Sequence, residues 1–441
     1  MSKPRVYVVI TTFLPSVGGA EMQTLAQCQH LIQRGHAMHV VTFHHYIDSL
    51  PHEVVDGVPV TRVAGFLLGR RKQLPRLLQK ILYFLAIFVM SWTLWRQRNE
   101  YDVLQVCQFN FLVLPLALVC LLARKPMSII VISAGAGKRT KTHEPAKLLA
   151  GSLDPETPWL TVDGKTWIDG DLYGLETAGP LVVMAMGALL RRIGAIVVVL
   201  SSRMQRYVSE HHFDLPGMCV ISNGVDLVRF QPLSAGLDDE QRLQTVVCVS
   251  KLRYEKGIDV LLQAWAIVHQ QRPEARLILV GSGPIQAQLE KMAQALGIAG
   301  TVEFAGLQKD VPAQFHRGAI AILPSRWEGM PNALLEAMAS GSACVATRVS
   351  GSEDLITPEQ NGLLVESEDA QQMAQALLTL LNAPPLIQHY AQAARMTVEQ
   401  QYGIEQIIDR YVALYHILVK RTKHHQGAAF LGGPMQEESD G

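Results

Sequence analysis

The chain has 441 residues, too many for one ordinary core and enough for two or three units of about 150 residues each. Its 39 Lys and Arg balance 39 Asp and Glu, and 18% of residues are charged, so composition points neither to nucleic acid nor to an acidic partner nor to disorder. The six cysteines (Cys28, Cys107, Cys120, Cys219, Cys248, Cys344) are scattered, mostly in apolar runs, without the close pairs of a metal site or a disulfide scaffold. They read as reduced core residues of a cytosolic protein.

Short β-branched runs alternate with longer helical patterns, the signature of an α/β chain with parallel sheets and crossover helices. Strands are expected at residues 5–11, 38–43, 58–63, 103–107, 128–133 and 195–200, making a first Rossmann-like domain over residues 1–217. The apolar stretch after Lys3 and Arg5 is short and runs into a turn, so it reads as a strand rather than a signal peptide. The longest apolar run, residues 81–95, is interrupted by Ser91 and Thr93. At 15 residues it is shorter than the ~20 that span a bilayer, and no spanning segment is expected. Residues 66–99 hold seven basic residues (Arg70, Arg71, Lys72, Arg76, Lys80, Arg96, Arg98) and no acidic one. This is either a crossover helix with a solvated basic start or a peripheral contact with an anionic membrane, at the inner face of the cytoplasmic membrane.

Residues 143–180, acidic and containing several prolines, fit neither domain and read as an insertion, with a small hairpin at Val162-Asp163-Gly164-Lys165. Strands at 245–249, 276–280, 301–304, 319–323 and 343–347 make a second doubly wound domain over residues 218–402, after a linker within 216–243. A helix at 403–422 is expected to pack back toward the first domain, and the Gly-rich, acidic remainder, 423–441, to be disordered.

The densest chemistry lies at residues 324–339, Pro-Ser-Arg-Trp-Glu-Gly-Met-Pro-Asn-Ala-Leu-Leu-Glu-Ala-Met-Ala. The string leaves the carboxyl end of a strand, crosses a Gly and Pro loop and enters a helix near Asn332, the place where open α/β sheets bind ligands. The loop amides and the positive helix end suit a diphosphate, and Glu328 and Glu336 suit neutral hydroxyls at its two ends. Val249-Ser250-Lys251-Leu252-Arg253-Tyr254-Glu255-Lys256-Gly257 also follows a strand, where cations would grip a leaving diphosphate.

Glu328 and Glu336 have the Glu-x7-Glu spacing of retaining GT-B glycosyltransferases, and the whole string resembles glycosyltransferase family 4. The resemblance implies a GT-B architecture, two Rossmann-like doubly wound domains facing across a cleft. It implies a nucleotide diphosphate sugar as donor, a glycan or lipid-linked acceptor, and no metal or other cofactor. By the same resemblance Glu336 holds the ribose hydroxyls, Glu328 contacts the donor sugar, and Gly329, Met330, Asn332 and Ala333 lie along phosphates and sugar, while Pro331 supplies no amide. Lys256 and Lys251 would neutralise the diphosphate, although the family usually has Arg where this chain has Lys251, which lacks the bidentate fork. Gly18 and Gly19 resemble the family's glycine-rich first loop, and Gly281 and Gly283 a nucleotide-site loop. Ser222-Asn223-Gly224-Val225-Asp226 reads as a domain-boundary loop and Asn361-Gly362-Leu363-Leu364-Val365 as mainly structural.

The pattern departs from the family after residue 132. Many relatives carry a histidine there, whereas this chain has Ser133-Ala134-Gly135-Ala136-Gly137-Lys138, leaving Ser133 and Gly135 on the acceptor side without a titratable group. That fits a retaining mechanism in which the departing phosphate oxygen takes the acceptor proton, and it equally admits a catalytically silent subunit that only binds a nucleotide sugar. The retained Glu328, Glu336 and Lys256 favour the enzyme. Asp169-Gly170-Asp171 sits in the acidic insertion rather than after an apolar strand, so it does not read as a catalytic metal site. A nicotinamide dehydrogenase would need Gly-x-Gly-x-x-Gly after the first strand, where this chain has Leu14-Pro15-Ser16-Val17-Gly18-Gly19.

Overall fold

A computed structural model describes residues 3–46, 49–65, 75–132, 180–210, 217–233 and 240–430. The first sheet contains β1 (Val6–Ile10), β2 (Met38–Phe43), β3 (His52–Val55), β4 (Val58–Val63), β5 (Val103–Cys107), β6 (Met127–Val131), β7 (Ile196–Val199) and β8 (Met218–Val220). Their order is β3-β4-β2-β1-β5-β6-β7-β8, all parallel except β3 against β4. Sequences such as VYVVI in β1 and MSIIV in β6 are buried at every residue, because crossover helices cover both faces of a parallel sheet.

The helices of this domain are α1 (Gly19–Gln33), α2 (Arg76–Arg96), α3 (Val113–Ala123), α4 (Pro180–Arg192) and α5 (Ser202–Glu210). The chain moves one way along the sheet from β1 to β4 and the other way from β4 to β7, so right-handed crossovers put α1 on one face and α2, α3 and α4 on the other. α2 packs on α3 and α3 on α4.

The second sheet, β9 (Thr245–Val249), β10 (Arg276–Val280), β11 (Val302–Gly306), β12 (Ile320–Leu323), β13 (Ala343–Thr347) and β14 (Leu363–Val365), is wholly parallel in the order β11-β10-β9-β12-β13-β14. Its longer helices are α6 (Ile258–Gln271), α7 (Gln286–Ala295), α8 (Asn332–Ala339), α9 (Ala370–Leu381) and α10 (Pro384–Gln401). Trp265 of α6 is fully buried and donates through Nε1 to Thr301 Oγ1 at 3.2 Å, which satisfies the one polar atom of a large core side chain.

Four expectations are corrected. The strand Met218–Val220 pairs with β7, so the chain leaves the first domain after Val220 and not at residue 217. The last helix, α11 (Ile404–Phe430), continues past residue 422 into the segment expected to be disordered; 431–441 lie outside the described residues. The hairpin β3-β4 was missed although Asp56-Gly57 marked it: both residues have positive φ, 46° and 84°, as a two-residue turn that matches strand twist demands. Finally, the apolar run judged too short for a bilayer belongs to the longer helix α2, in which Leu77–Arg96, 20 residues, is long and apolar enough to cross one by length and composition only. The insertion at 143–179 and its Asp-Gly hairpin lie outside the described residues.

Two chain crossings join the domains side by side. Val225 donates to the Tyr402 carbonyl and accepts from the Ile404 amide, both at 2.9 Å, where α11 leaves the second domain. α11 then lies on α1 and β5 of the first. Arg34 pairs with Glu405 and Asp409 at the surface of this contact. Beneath it, the Tyr415 hydroxyl donates to Gln105 Oε1 at 2.7 Å and accepts from Gln27 Nε2 at 3.0 Å, and Gln105 Nε2 donates to Gln27 Oε1 at 3.2 Å. Tyr415→Phe leaves two buried amide groups short of a partner, a loss of about 1–3 kcal/mol. A lowered thermal midpoint with unchanged circular dichroism is expected; an unchanged midpoint would show that this ring of side chains does not tie α11 to the first domain.

Candidate functional site

The candidate site forms where loops at the carboxyl ends of both sheets face each other. Gly257, with φ at 62°, ends a tight turn at Tyr254–Lys256, and a Cβ there would collide with the Pro324 carbonyl. Only glycine lets the loops after β9 and β12 touch at this point. The contact brings Lys256 Nζ within 2.6 Å of Glu328 Oε1, to which Ser325 also donates at 2.7 Å. The sequence assigned Lys256 to the diphosphate and Glu328 to the sugar; the fold makes them direct partners in a partly buried ion pair.

Arg326 holds the arrangement from behind. Its guanidinium donates to both Asp259 oxygens at 2.8 and 2.7 Å, also bonds Glu368, and lies 3.9 Å from the centre of the Tyr254 ring. Its amide donates to the Glu255 carbonyl at 2.9 Å. The sequence reading gave this residue no role, since nothing in a Ser-Arg-Trp string tells a clamp from a solvated side chain.

The first domain meets this loop through its glycines. Asn332 Nδ2 donates to the Gly19 carbonyl at 3.0 Å, and Asn223 Nδ2 donates to Asn332 Oδ1 at 2.7 Å. A Cβ on Gly18 would strike the Glu21 carboxylate and come within 3.1 Å of Lys251 Nζ, so Lys251 reaches across to the loop. Glu21 accepts from Thr12 Oγ1 at 2.8 Å. Desolvation there holds Lys251 below the ordinary lysine range, against the opposing pull of Glu21. Glu21 was visible in Gly-Gly-Ala-Glu, but only its glycines had been given a role.

Gly329 lies so close to the end of β6 that a Cβ would overlap the Ile132 carbonyl. Gly281 and Gly283 are packed likewise against the Ser250 and Leu252 carbonyls, which fixes the path of the Lys251 loop. Met330 and Pro331 are buried and Ala333 half-buried. Pro331 sits before the first turn of α8 without a side-chain cap, so no side chain caps the first amides of the helix. Glu336, one turn later, is half-buried and meets no hydrogen-bond donor among the described residues. Burial pushes its carboxyl up to about 7, with Arg229 opposing. Ser133, Gly135, Asp169 and Asp171 lie outside the described residues.

Two family models match the chain: Glycosyl transferase 4-like domain over residues 18–224 and Glycosyl transferases group 1 over residues 244–383. The chain belongs to the glycosyltransferases of group 1. An uncharacterized glycosyltransferase of Haemophilus influenzae is 30% identical over 240 residues, covering 54% of this chain and 66% of that protein. The lipopolysaccharide core biosynthesis mannosyltransferase of Rhizobium meliloti is 28% identical over 247 residues, covering 53% and 68%. Among solved structures, sucrose-phosphate synthase from Thermosynechococcus elongatus superposes with a TM-score of 0.73 at 20% identity, over 95% of this chain and 100% of that one. Anabaena HepE in complex with UDP and glucose superposes at 0.66 and 17%, over 94% and 100%. Two facing Rossmann-like domains of this kind constitute the GT-B fold.

In this glycosyltransferase, Arg326 supports the loops that carry Lys256 and Glu328. Arg326→Lys keeps the charge but loses the fork to Asp259 and the stack on Tyr254, which should cost about 2–4 kcal/mol. Differential scanning calorimetry should show the midpoint lowered by several degrees; a midpoint within error of wild type would reduce Arg326 to a surface ion pair.

Proposed function

We propose that this glycosyltransferase moves a sugar, with retention, from a nucleoside diphosphate donor to a glycan or lipid-linked acceptor at the inner face of the cytoplasmic membrane, without a metal. The observation that carries the reading is the Lys256–Glu328–Ser325 cluster beside the uncapped start of α8, with Lys251 and Glu336 bordering the same loops. Lys256, Lys251 and the α8 amides supply positive potential for a diphosphate leaving group, at partly buried positions where each charge counts for more. Glu328, already held by two donors, is oriented to accept from sugar hydroxyls, and a donor that draws Lys256 onto its phosphate frees the carboxylate for that task. The acceptor proton passes to the departing phosphate oxygen, which suits a site with small residues after β6 and no histidine at position 133. The Rhizobium relative, named a lipopolysaccharide core mannosyltransferase, and HepE, solved with UDP and glucose, support the donor and acceptor classes.

Glu336 gives a pH test. Its carboxylate is the form that accepts ribose hydroxyl bonds, and in the free protein it is half-protonated at about 7. Binding therefore requires loss of a proton below that pH, and affinity for UDP, GDP or ADP, whichever binds, should fall by up to about tenfold per unit as pH drops. Glu336→Gln should weaken binding by roughly 1.5–3 kcal/mol and keep only the pH dependence of the nucleotide itself. Titration calorimetry of both proteins at about pH 6 and 8 decides: equal slopes would remove Glu336 from the ribose.

Turnover is expected to survive EDTA, because Lys251, Lys256 and the helix start carry the charge compensation. Activity lost to the chelator and restored by magnesium or manganese would overturn the metal-free reading and direct attention to Asp169 and Asp171.

A further inference from the structure

α2 carries two apolar faces. Ala86, Ile87, Met90 and Leu94 are 0–5% exposed and hold the helix on the domain core. Leu77, Ile81, Phe84, Leu85, Phe88 and Trp92 recur at helical spacing on the outer side and are between 47% and 73% exposed. The adjoining helices continue the surface, with Leu118 and Leu122 exposed on α3 and Leu181 and Met184 on α4. A contiguous uncovered apolar layer of this kind marks an interaction surface.

The charge pattern selects the occupant. α2, α3 and α4 contain no Asp or Glu. Among the described residues, Arg76 and Lys80 fall in the first two turns of α2, Arg96 and Arg98 at its end, and Arg191 and Arg192 at the end of α4; Arg70, Arg71 and Lys72 precede α2 in the sequence and lie outside the described residues. An apolar plane with basic residues at its helix ends complements acyl chains beneath anionic headgroups. We infer that the outer face of α2, α3 and α4 is a monotopic insertion surface for an anionic bilayer, with α2 lying in the membrane plane.

α2 is long enough to cross a bilayer, but crossing would pull Met90 and Leu94 out of the core. In-plane burial to a depth of about 5–10 Å satisfies both faces at once. The starts of all three helices follow the carboxyl ends of β4, β5 and β6, so the inserted layer borders the cleft. A lipid-linked acceptor would then enter from the edge of the membrane. The inference rests on the membrane-face reading above and adds the surface and its mode of contact.

The test uses the full chain with vesicles of phosphatidylglycerol and phosphatidylcholine, with phosphatidylcholine alone as control. Wild-type protein should co-sediment with the anionic vesicles and retain part of its binding in about 1 M salt, where screening acts over about 3 Å and only insertion persists. The double variant Phe84→Ser, Phe88→Ser removes two exposed rings without touching the core and should lose at least about tenfold in partitioning. Lipids brominated on their acyl chains should quench wild-type fluorescence more than that of Trp92→Phe. Nucleotide affinity serves as the control for folding and should be unchanged in every variant. Wild type left in the supernatant at low salt, binding that the double variant leaves intact, or light scattering that shows a dimer dissociated by the double variant would each overturn the insertion surface. None of these would touch the donor site, whereas vesicle binding by a protein that binds no nucleotide would sink the transferase reading and leave the surface standing.

Discussion

The distance between loop backbones at the carboxyl edges of the sheets governs the site. At Gly257, Gly281, Gly283 and Gly329 a single added carbon would meet a carbonyl oxygen, of Pro324, Ser250, Leu252 and Ile132 respectively. Gly257 and Gly281 also have φ of 62° and 136°, conformations that other residues adopt only under strain. Backbones this close set the positions of Lys256, Glu328 and Lys251 to within a side chain's reach of one another. A β-carbon at Gly257 would displace the turn that carries Lys256 and separate it from Glu328, without altering any charged residue.

With that spacing fixed, electrostatics follows. Glu328 has 11% of its side chain exposed, and Lys256 has 22%. A carboxylate this enclosed needs a partner, and Lys256 with Ser325 provides it in the free protein. Half-buried Glu336 meets no such partner among the described residues, and desolvation pushes its carboxyl up to about 7. Two carboxylates eight residues apart in one motif therefore have different surroundings, one facing an ammonium group and the other mostly protein.

The parallel strands were legible because full burial on both faces leaves uninterrupted β-branched runs. Residues 38–43, 58–63, 103–107, 245–249, 276–280 and 343–347 were read to the residue. Three of the four edge strands were not: His52–Val55 alternates exposed His52 and Val54 with half-buried Glu53 and Val55 and has no buried run, and Met218–Val220 and Leu363–Val365 span three residues each, too few for a period. The extent of α2 was hidden by Arg76 and Lys80, which end an apolar run in a hydropathy reading but not the helix, since both residues are good helix formers. In the site, the charged residues stood out and their supports did not. Arg326, Asp259, Asn223 and Thr12 act through partners 67 to 109 residues distant, or through a local bend, and no spacing rule encodes such pairs.

The first domain is chemically two-sided, which the balanced charge of the whole chain conceals. On the α1 face, Arg34 and His30 engage Glu405, and Gln27, Gln105 and Tyr415 satisfy one another beneath, so each polar group finds a partner within the chain. On the α2 face the helices α2, α3 and α4 carry no acid of their own, and large apolar side chains face outward although the inner positions of α2 are already filled. A helix that only needed to cover its sheet would place polar residues at Phe84, Phe88 and Trp92, since these contribute nothing to the core. The inner residues anchor α2 beside β4, and α3 beside β6, whose carboxyl ends open into the cleft. Any layer seated on the outer face is thereby held at a fixed height relative to the loops of the site, because helix and strand are joined through side chains that are fully buried.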